Sequence, residues 1–88
     1  MKVKIAKNIF YRIVGEETVV VNLDENKCIL LNEVGSEIWK MLSDKKWRDF
    51  NDVINVLSEN YEIDREKLNN DVMKFINKLL RFKLIEYK

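Results

Sequence analysis

The segment at residues 27–38, KCILLNEVGSEI, constrains the fold more than any other part of the chain. A short apolar strand at 28–31 leads directly into Asn32 and then into an amphipathic helix. Successive strand residues face opposite ways, so the adjacent apolar residues of this strand would occupy both faces of a sheet. Such a strand has room for a second polypeptide beside it. Gly35, in the helix, is expected to let a neighbouring backbone approach closely.

The length and composition indicate one ordered domain. The chain has 88 residues, of which 47% are hydrophobic and 35% are charged, with both signs interspersed. We therefore predict a single domain over residues 1–88. A chain of this size buries roughly 60–65% of its unfolded surface, which is enough for a modest core but not for a deep catalytic cavity.

Several residue types that enzymes commonly use are missing or scarce. The chain has no histidine, and its only cysteine is Cys28, so we expect no metal site and no intrachain disulfide. Gly15 and Gly35 are the only glycines, which leaves no glycine-rich phosphate loop. Glu16 and Glu17 form an acidic pair that we interpret as a solvated turn. The sequence predicts a protein that is not an enzyme, with no catalytic residues and no cofactor.

Charge and hydropathy limit the partners. The net charge is +1, which argues against the clustered positive face that nucleic-acid binding needs. The longest apolar run, VVV at 19–21, is far shorter than the roughly 18 residues that identify a bilayer span. The N-terminus lacks the apolar segment of a signal peptide. We therefore predict a cytoplasmic location, no membrane association and no nucleic-acid partner.

The first third of the chain has the pattern of a β-meander. Residues 10–14 alternate in the manner of a strand, and GEE at 15–17 is a turn. A β-branched run at 18–23 leads into the polar turn at 24–27, and the apolar strand at 28–31 returns. These segments predict a three-stranded antiparallel sheet.

The remainder has the pattern of three helices. Asn32 can cap the first helix, and either Asp49 or Asn51 can open the second. Asp64 is the expected N-cap of the third. Residues 84–87 then form a brief terminal strand or an extended tail. The apolar face of the first helix comprises Val34, Ile38, Trp39, Met41 and Leu42.

The third helix has more apolar surface than a small core requires. Its apolar residues spread over roughly 180°, against the stripe of about 100° that is usual for a surface helix. Phe75 and Phe82 lie at the margin of this arc, beside Asp71 and Lys78. Two interpretations remain open: these rings pack on the strands and the second helix, or they form the exposed edge of a groove.

The order of these parts resembles the PqqD-like family, the peptide-recognition domains of pathways that make ribosomally synthesised, modified peptides. The resemblance extends over residues 10–85. It rests on LLNEVGSEIWKML at 30–42, on Asp52-Val53 with Leu57 and the following Tyr61, and on DVMKFINKLLRFKLIE at 71–86.

The resemblance implies a winged-helix-like α+β domain, with the meander followed by three helices and no chemistry of its own. Such domains bind the leader of a precursor peptide and present it to a separate radical-SAM enzyme, cyclase or leader peptidase. In the family the leader adds as a strand beside the third strand of the meander, in the cleft next to the third helix. The matching peptide-binding positions here are Cys28, Ile29, Leu30, Leu31, Asp71, Val72, Phe75, Lys78, Leu79 and Phe82.

The partner enzyme, the role of Trp47 and the function each have more than one interpretation. Many relatives end the first helix with an Asp-Gly turn, whereas this chain has SDKKW at 43–47, which leaves the partner enzyme open. Trp47 would either anchor that enzyme or fold back onto the second helix. A DNA-binding winged helix and an adaptor that recruits only the enzyme are competing functions. Exposed apolar edges would also permit a homodimer.

Overall fold

The computed structural model describes residues 1–88 and contains two small antiparallel sheets and three helices. The strand orders are β2-β3-β4 and β5-β1-β6. The elements, in chain order, are β1 (Lys2–Ile5), β2 (Ile9–Val14), β3 (Glu17–Asn22), β4 (Lys27–Leu31), α1 (Glu33–Leu42), β5 (Arg48–Asp49), α2 (Phe50–Asn60), α3 (Arg65–Arg81) and β6 (Ile85–Tyr87).

The predicted meander and the three helices that follow it are confirmed. Val14 pairs with Glu17 across a two-residue turn, in which Gly15 has a φ of 65°. A positive φ at the first turn position is what a tight hairpin of this kind requires, and glycine adopts it without strain. The next turn joins β3 to β4, and Asn22 pairs with Lys27 at its base. Both β2 and β4 are therefore edge strands.

The second sheet was not predicted in full. Of the two forms expected for residues 84–87, a brief strand or an extended tail, the structure shows the strand, β6, but no strand was predicted at the N-terminus. There, Val3 and Ile5 are buried and alternate with lysines, so β1 has the period of a half-buried strand. Since β6 pairs with β1, the C-terminal strand lies in the other sheet and leaves β4 uncovered.

Side chains at the helix starts fix where α1 and α2 begin. The Asn32 side chain accepts a hydrogen bond from the Gly35 N–H at 2.8 Å, as expected of an N-cap. Asp49, rather than Asn51, caps α2 and accepts from the Asn51 N–H at 2.9 Å. Asp64 occupies the N-cap position of α3, but its side chain makes no capping hydrogen bond.

The core lies between the inner face of the meander and the helices. Trp39 is completely buried, as predicted, and the Tyr11 ring meets it edge-on at a centroid distance of 5.7 Å. Trp47 is half-buried, and its role as an anchor for a partner enzyme stays a prediction. Its ring lies beside the terminal sheet, where the Lys4 and Lys88 ammonium groups are 5.0 and 4.6 Å from its centroid.

One buried amide joins the meander to the end of α3. Asn22 is 3% exposed, and its side-chain N–H groups donate to the carbonyls of Phe82 and Lys83, both at 3.1 Å. Its carbonyl oxygen accepts from the backbone N–H groups of Asp24 and Glu25 at 3.0 and 3.1 Å. All the donors and acceptors of a carboxamide are thereby used, so Asn22 fixes the distance between the turn after β3 and the last turn of α3.

We expect Asn22→Ala to lower the free energy of unfolding by about 2 kcal/mol, because it removes these hydrogen bonds and leaves two helix-end carbonyls without their donor. Chemical denaturation measures the change. Asn77→Ala is the matched control, since Asn77 is exposed on α3 and should lose nothing. Equal stability of the two variants would show that Asn22 does not join these elements.

Candidate functional site

The outer edge of β4 is open along its whole length. In the meander, β4 pairs only with β3. The Val14–Glu17 pair closes a two-residue hairpin and is therefore of the hydrogen-bonded kind. In an antiparallel pair of strands, hydrogen-bonded residue pairs alternate with non-hydrogen-bonded pairs. The bond from the Leu23 N–H to the Asn8 carbonyl, at 3.1 Å, fits this alternation at the far end of β2 and β3.

This alternation decides which backbone groups of β4 are free. Since alternate residues of β3 bond to β2, the intervening ones, including Val20, bond to β4. The backbone N–H and C=O groups of Ile29 and Leu31 therefore form hydrogen bonds with β3. Cys28 and Leu30 direct their N–H and C=O groups to the open edge. The edge thus offers two donors and two acceptors to an incoming strand.

The side chains of β4 alternate as the sequence predicts. Leu31 is buried and Ile29 is half-buried on the inner face. Leu30 is 57% exposed on the outer face, and Cys28 is also exposed there. Apolar side chains therefore occupy both faces of this strand.

A stripe along α3 faces the segment that runs from β4 into α1. Asp71, Phe75, Lys78 and Phe82 recur at spacings of three and four residues, which places them on one side of the helix. The Lys27 ammonium lies 5.6 Å from the Phe82 ring centroid, so the end of this stripe reaches the start of β4. The two elements enclose a cleft.

Gly35 determines how closely α1 and α3 approach at the other end of the cleft. A Cβ atom on Gly35 would lie 3.0 Å from Cε1 and 3.1 Å from Cζ of Phe75. The close neighbour is therefore an aromatic ring, not the backbone that the sequence analysis anticipated. The half-buried Phe75 ring rests on the bare backbone of α1 and forms one wall of the cleft.

An apolar cavity of about 310 Å³ opens beside Phe75, at the junction of β4 and α1. Val34 and Ile63 stand at its mouth, 36% and 41% exposed. Asp71 is the one charged residue in its lining. The full lining comprises Asn32, Val34, Gly35, Ile38, Ile63, Leu68, Asp71, Val72 and Phe75.

The opposite end of the cleft is polar. A cavity of about 170 Å³ there is lined by Glu25, Lys27, Arg81, Phe82 and Lys83. The Lys83 ammonium lies 2.9 Å from the Glu25 carboxylate, and this hydrogen bond lowers the pKa of Glu25 and raises that of Lys83. Both groups are consequently charged at neutral pH and neutralise each other.

The structure separates the predicted peptide-binding residues into two groups. The four predicted positions of β4 lie along the open edge, and Asp71, Phe75, Lys78 and Phe82 lie along the cleft side of α3. Val72 is 2% exposed but still contributes to the cavity lining. Leu79 is completely buried in the core, so its side chain offers no contact surface to a peptide.

Sequence reasoning did not single out Val34, Ile63 and Leu68 as candidate site residues. Val34 and Leu68 lie on the apolar faces of their helices, which is where core residues also lie. Ile63 belongs to the connection between α2 and α3, and an exposed isoleucine between polar neighbours is its only local signal.

No three His, Cys, Asp or Glu side chains cluster closely enough to hold a metal ion. None of the helices combines the length and the apolarity needed to cross a membrane.

The family model for coenzyme PQQ synthesis protein D (PqqD) matches residues 17–85. The chain therefore belongs to the PqqD family, which confirms the resemblance found in its sequence. No curated protein matches the chain by sequence.

Two solved structures are similar over nearly their whole length. The first is TbiB1 in complex with the TbiA(beta) leader peptide, with 25% identity and a TM-score of 0.87 over 97% of this chain and 96% of that one. The second is a lasso peptide synthetase B1 complexed with the leader peptide, with 18% identity and a TM-score of 0.81 over 97% of this chain and 98% of that one. The predicted α+β fold is confirmed by these likenesses.

Proposed function

We propose that this protein binds the leader region of a ribosomally synthesised precursor peptide. The leader adds as an extra strand on the free edge of β4 and lies in the cleft beside α3. The observation that carries the proposal is the open edge at Cys28 and Leu30, directly beside an apolar cavity. The two similar structures support it, since each was solved with a leader peptide.

The cleft supplies affinity and selectivity through different groups. The free N–H and C=O groups of β4 bind any extended backbone, whatever its sequence. The cavity beside Phe75 and the polar end beside Lys27 contact side chains and so select among peptides. An interface of this small size is expected to give a Kd of roughly 10⁻⁸ to 10⁻⁶ M.

The protein acts on the peptide only by holding it. The protein presents the leader to a separate modifying enzyme, which is a radical-SAM enzyme, a cyclase or a leader peptidase. The exposed, unpaired Cys28 suits a reducing compartment, and we place this binding in the cytoplasm.

DNA binding is less well supported by the structure. A recognition helix uses basic and amide side chains near its N-terminus. In α3 that end begins with Arg65-Glu66-Lys67 and continues to Asp71, so positive and negative groups are balanced. Phosphate would be repelled there about as much as it is attracted.

The test is a titration of fluorescently labelled leader peptides encoded beside the gene, followed by anisotropy. We expect saturable binding in the stated Kd range and none to a scrambled leader of the same composition. A random DNA duplex, titrated in parallel at several salt concentrations, examines the competing function. Binding of the duplex with a steep salt dependence, and no binding of any leader, would overturn the proposal. An adaptor would bind neither.

A further inference from the structure

The two ends of the cleft differ in chemistry. The end beside α1 is an apolar cavity with Asp71 as its one charged lining residue. The end beside the start of β4 is lined mainly by charged groups, most of them cationic. A strand lying along β4 would therefore meet an apolar environment at one end and a positive one at the other.

Three cations have no carboxylate partner: Lys27 and Arg81 line the positive end, and Lys78 lies one helical turn before Phe82. Lys27 comes from β4, whereas Lys78 and Arg81 come from α3, and none lies within 4.0 Å of an acidic group. Lys83 differs because Glu25 neutralises it. Unpaired positive charge therefore approaches the cleft from both walls and is available to a ligand.

The two walls have matching lengths. From Lys27 to Leu31, β4 extends about 13 Å at 3.3 Å per residue. From Asp71 to Arg81, α3 rises about 15 Å at 1.5 Å per residue. A peptide in extended conformation therefore passes from the apolar cavity to the cationic end within about four residues, and side chains four positions apart point to the same face of a strand.

Strand direction sets the order of these contacts along the peptide. The meander is antiparallel throughout, and antiparallel pairs predominate among strands in general. A strand added antiparallel to β4 starts beside Leu31 and ends beside Lys27. Its earlier residues then face the apolar cavity, and its later residues face the cations.

We propose that the cleft selects peptides in which a bulky apolar residue is followed, about four positions later, by Asp or Glu. This inference rests on the proposed function, since it specifies the ligand of the same site. The apolar side chain enters the cavity against Phe75, and the carboxylate lies between Lys27 and the Lys78–Arg81 side of α3. Selectivity thus depends on the order of the two features as well as on their presence.

A display selection tests the order and the charge together. The probe is a library of random peptides of about twelve residues, long enough to exceed the edge of β4, panned against the immobilised full chain. We expect enriched peptides to carry an aromatic or large aliphatic residue, with Asp or Glu enriched at least threefold about four positions after it. The preference should weaken as salt is raised.

Charge-reversed variants test which cationic side chains bind the Asp or Glu of the peptide. In selections with Lys27→Glu or Lys78→Glu, acidic residues should lose their enrichment at those positions, and Lys or Arg should replace them. Lys7→Glu is the matched control, because it changes the net charge equally in an exposed turn. It should leave the preference unchanged. If Lys7→Glu loses the enrichment of Asp and Glu to the same extent, the preference depends only on net charge, and the inference is overturned.

Failure of this inference and failure of the proposed function give different results. If the selected peptides share a bulky apolar residue but no Asp or Glu, or carry Asp or Glu before the apolar residue, the inference is overturned while strand addition stands. The Leu30→Pro variant lacks one free N–H donor of the β4 edge. If the natural chain enriches peptides no more strongly than this variant does, both the inference and the proposed function are overturned.

Discussion

Leu30→Pro is expected to weaken leader binding by about 10- to 100-fold while the protein remains folded. Proline has no backbone N–H, so the substitution removes one of the two donors that β4 presents at its open edge. The pyrrolidine ring also occupies space that the added strand needs. This fold-change corresponds to about 1.4–2.8 kcal/mol, which lies within the range for a hydrogen bond left unmade.

The fold tolerates this proline for a specific reason. The Leu30 N–H points away from β3, and proline is accepted on edge strands whose N–H faces solvent. Ile29→Pro is the structural contrast, because it removes a hydrogen bond to Val20 and should destabilise the meander.

A second control separates the backbone of Leu30 from its side chain. The side chain is 57% exposed on the outer face, so Leu30→Ala should keep affinity within a few-fold. Isothermal titration with a leader peptide measures these affinities, and circular dichroism monitors the fold. Unchanged affinity for Leu30→Pro would contradict strand addition at β4.

Phe75→Glu is expected to reduce peptide affinity at least 30-fold. The Phe75 ring is a wall of the apolar cavity, and a carboxylate there would remove apolar contact area and expose the incoming side chain to a charge. The ring is only half-buried, so the fold should survive with a lower melting temperature. Fluorescence anisotropy gives the affinity, and a thermal melt gives the stability.

Met73→Glu is the matched control for this substitution. Met73 is 37% exposed on α3, and it does not line the cavity. It should therefore bind peptide with unchanged affinity, although it introduces the same charge into the same helix. If Phe75→Glu unfolds the domain, Phe75 belongs to the core and is not a binding surface. If the Phe75→Glu variant is folded and binds peptide with unchanged affinity, the cavity does not contact the leader.

The elements that sequence alone predicted correctly are those with a local cause. Asn32 caps α1 through a hydrogen bond to a residue three positions later, and Gly15 permits the turn between β2 and β3. The alternation of buried and exposed residues around Leu30 follows from strand geometry. Each of these requires only neighbouring residues, so each can be found in the sequence.

The parts that were missed depend on contacts between distant residues. The strand β1 is formed by pairing with β5 and β6, which lie far along the chain. The cavity combines Val34 of α1 with Ile63 and with residues of α3, and no local pattern shows that they meet. Leu79 illustrates the same limit, because helical spacing places it close to the cleft stripe whereas packing buries it completely.

Amide hydrogen exchange, measured by NMR with and without a bound leader peptide, tests the central claim most directly. The Ile29 and Leu31 amides bond to β3 and should be protected in both states. The Cys28 and Leu30 amides face the open edge and should exchange rapidly in the free protein, then become protected when the peptide binds. Peptide binding that leaves both of these amides exchanging at their free rates would contradict the account.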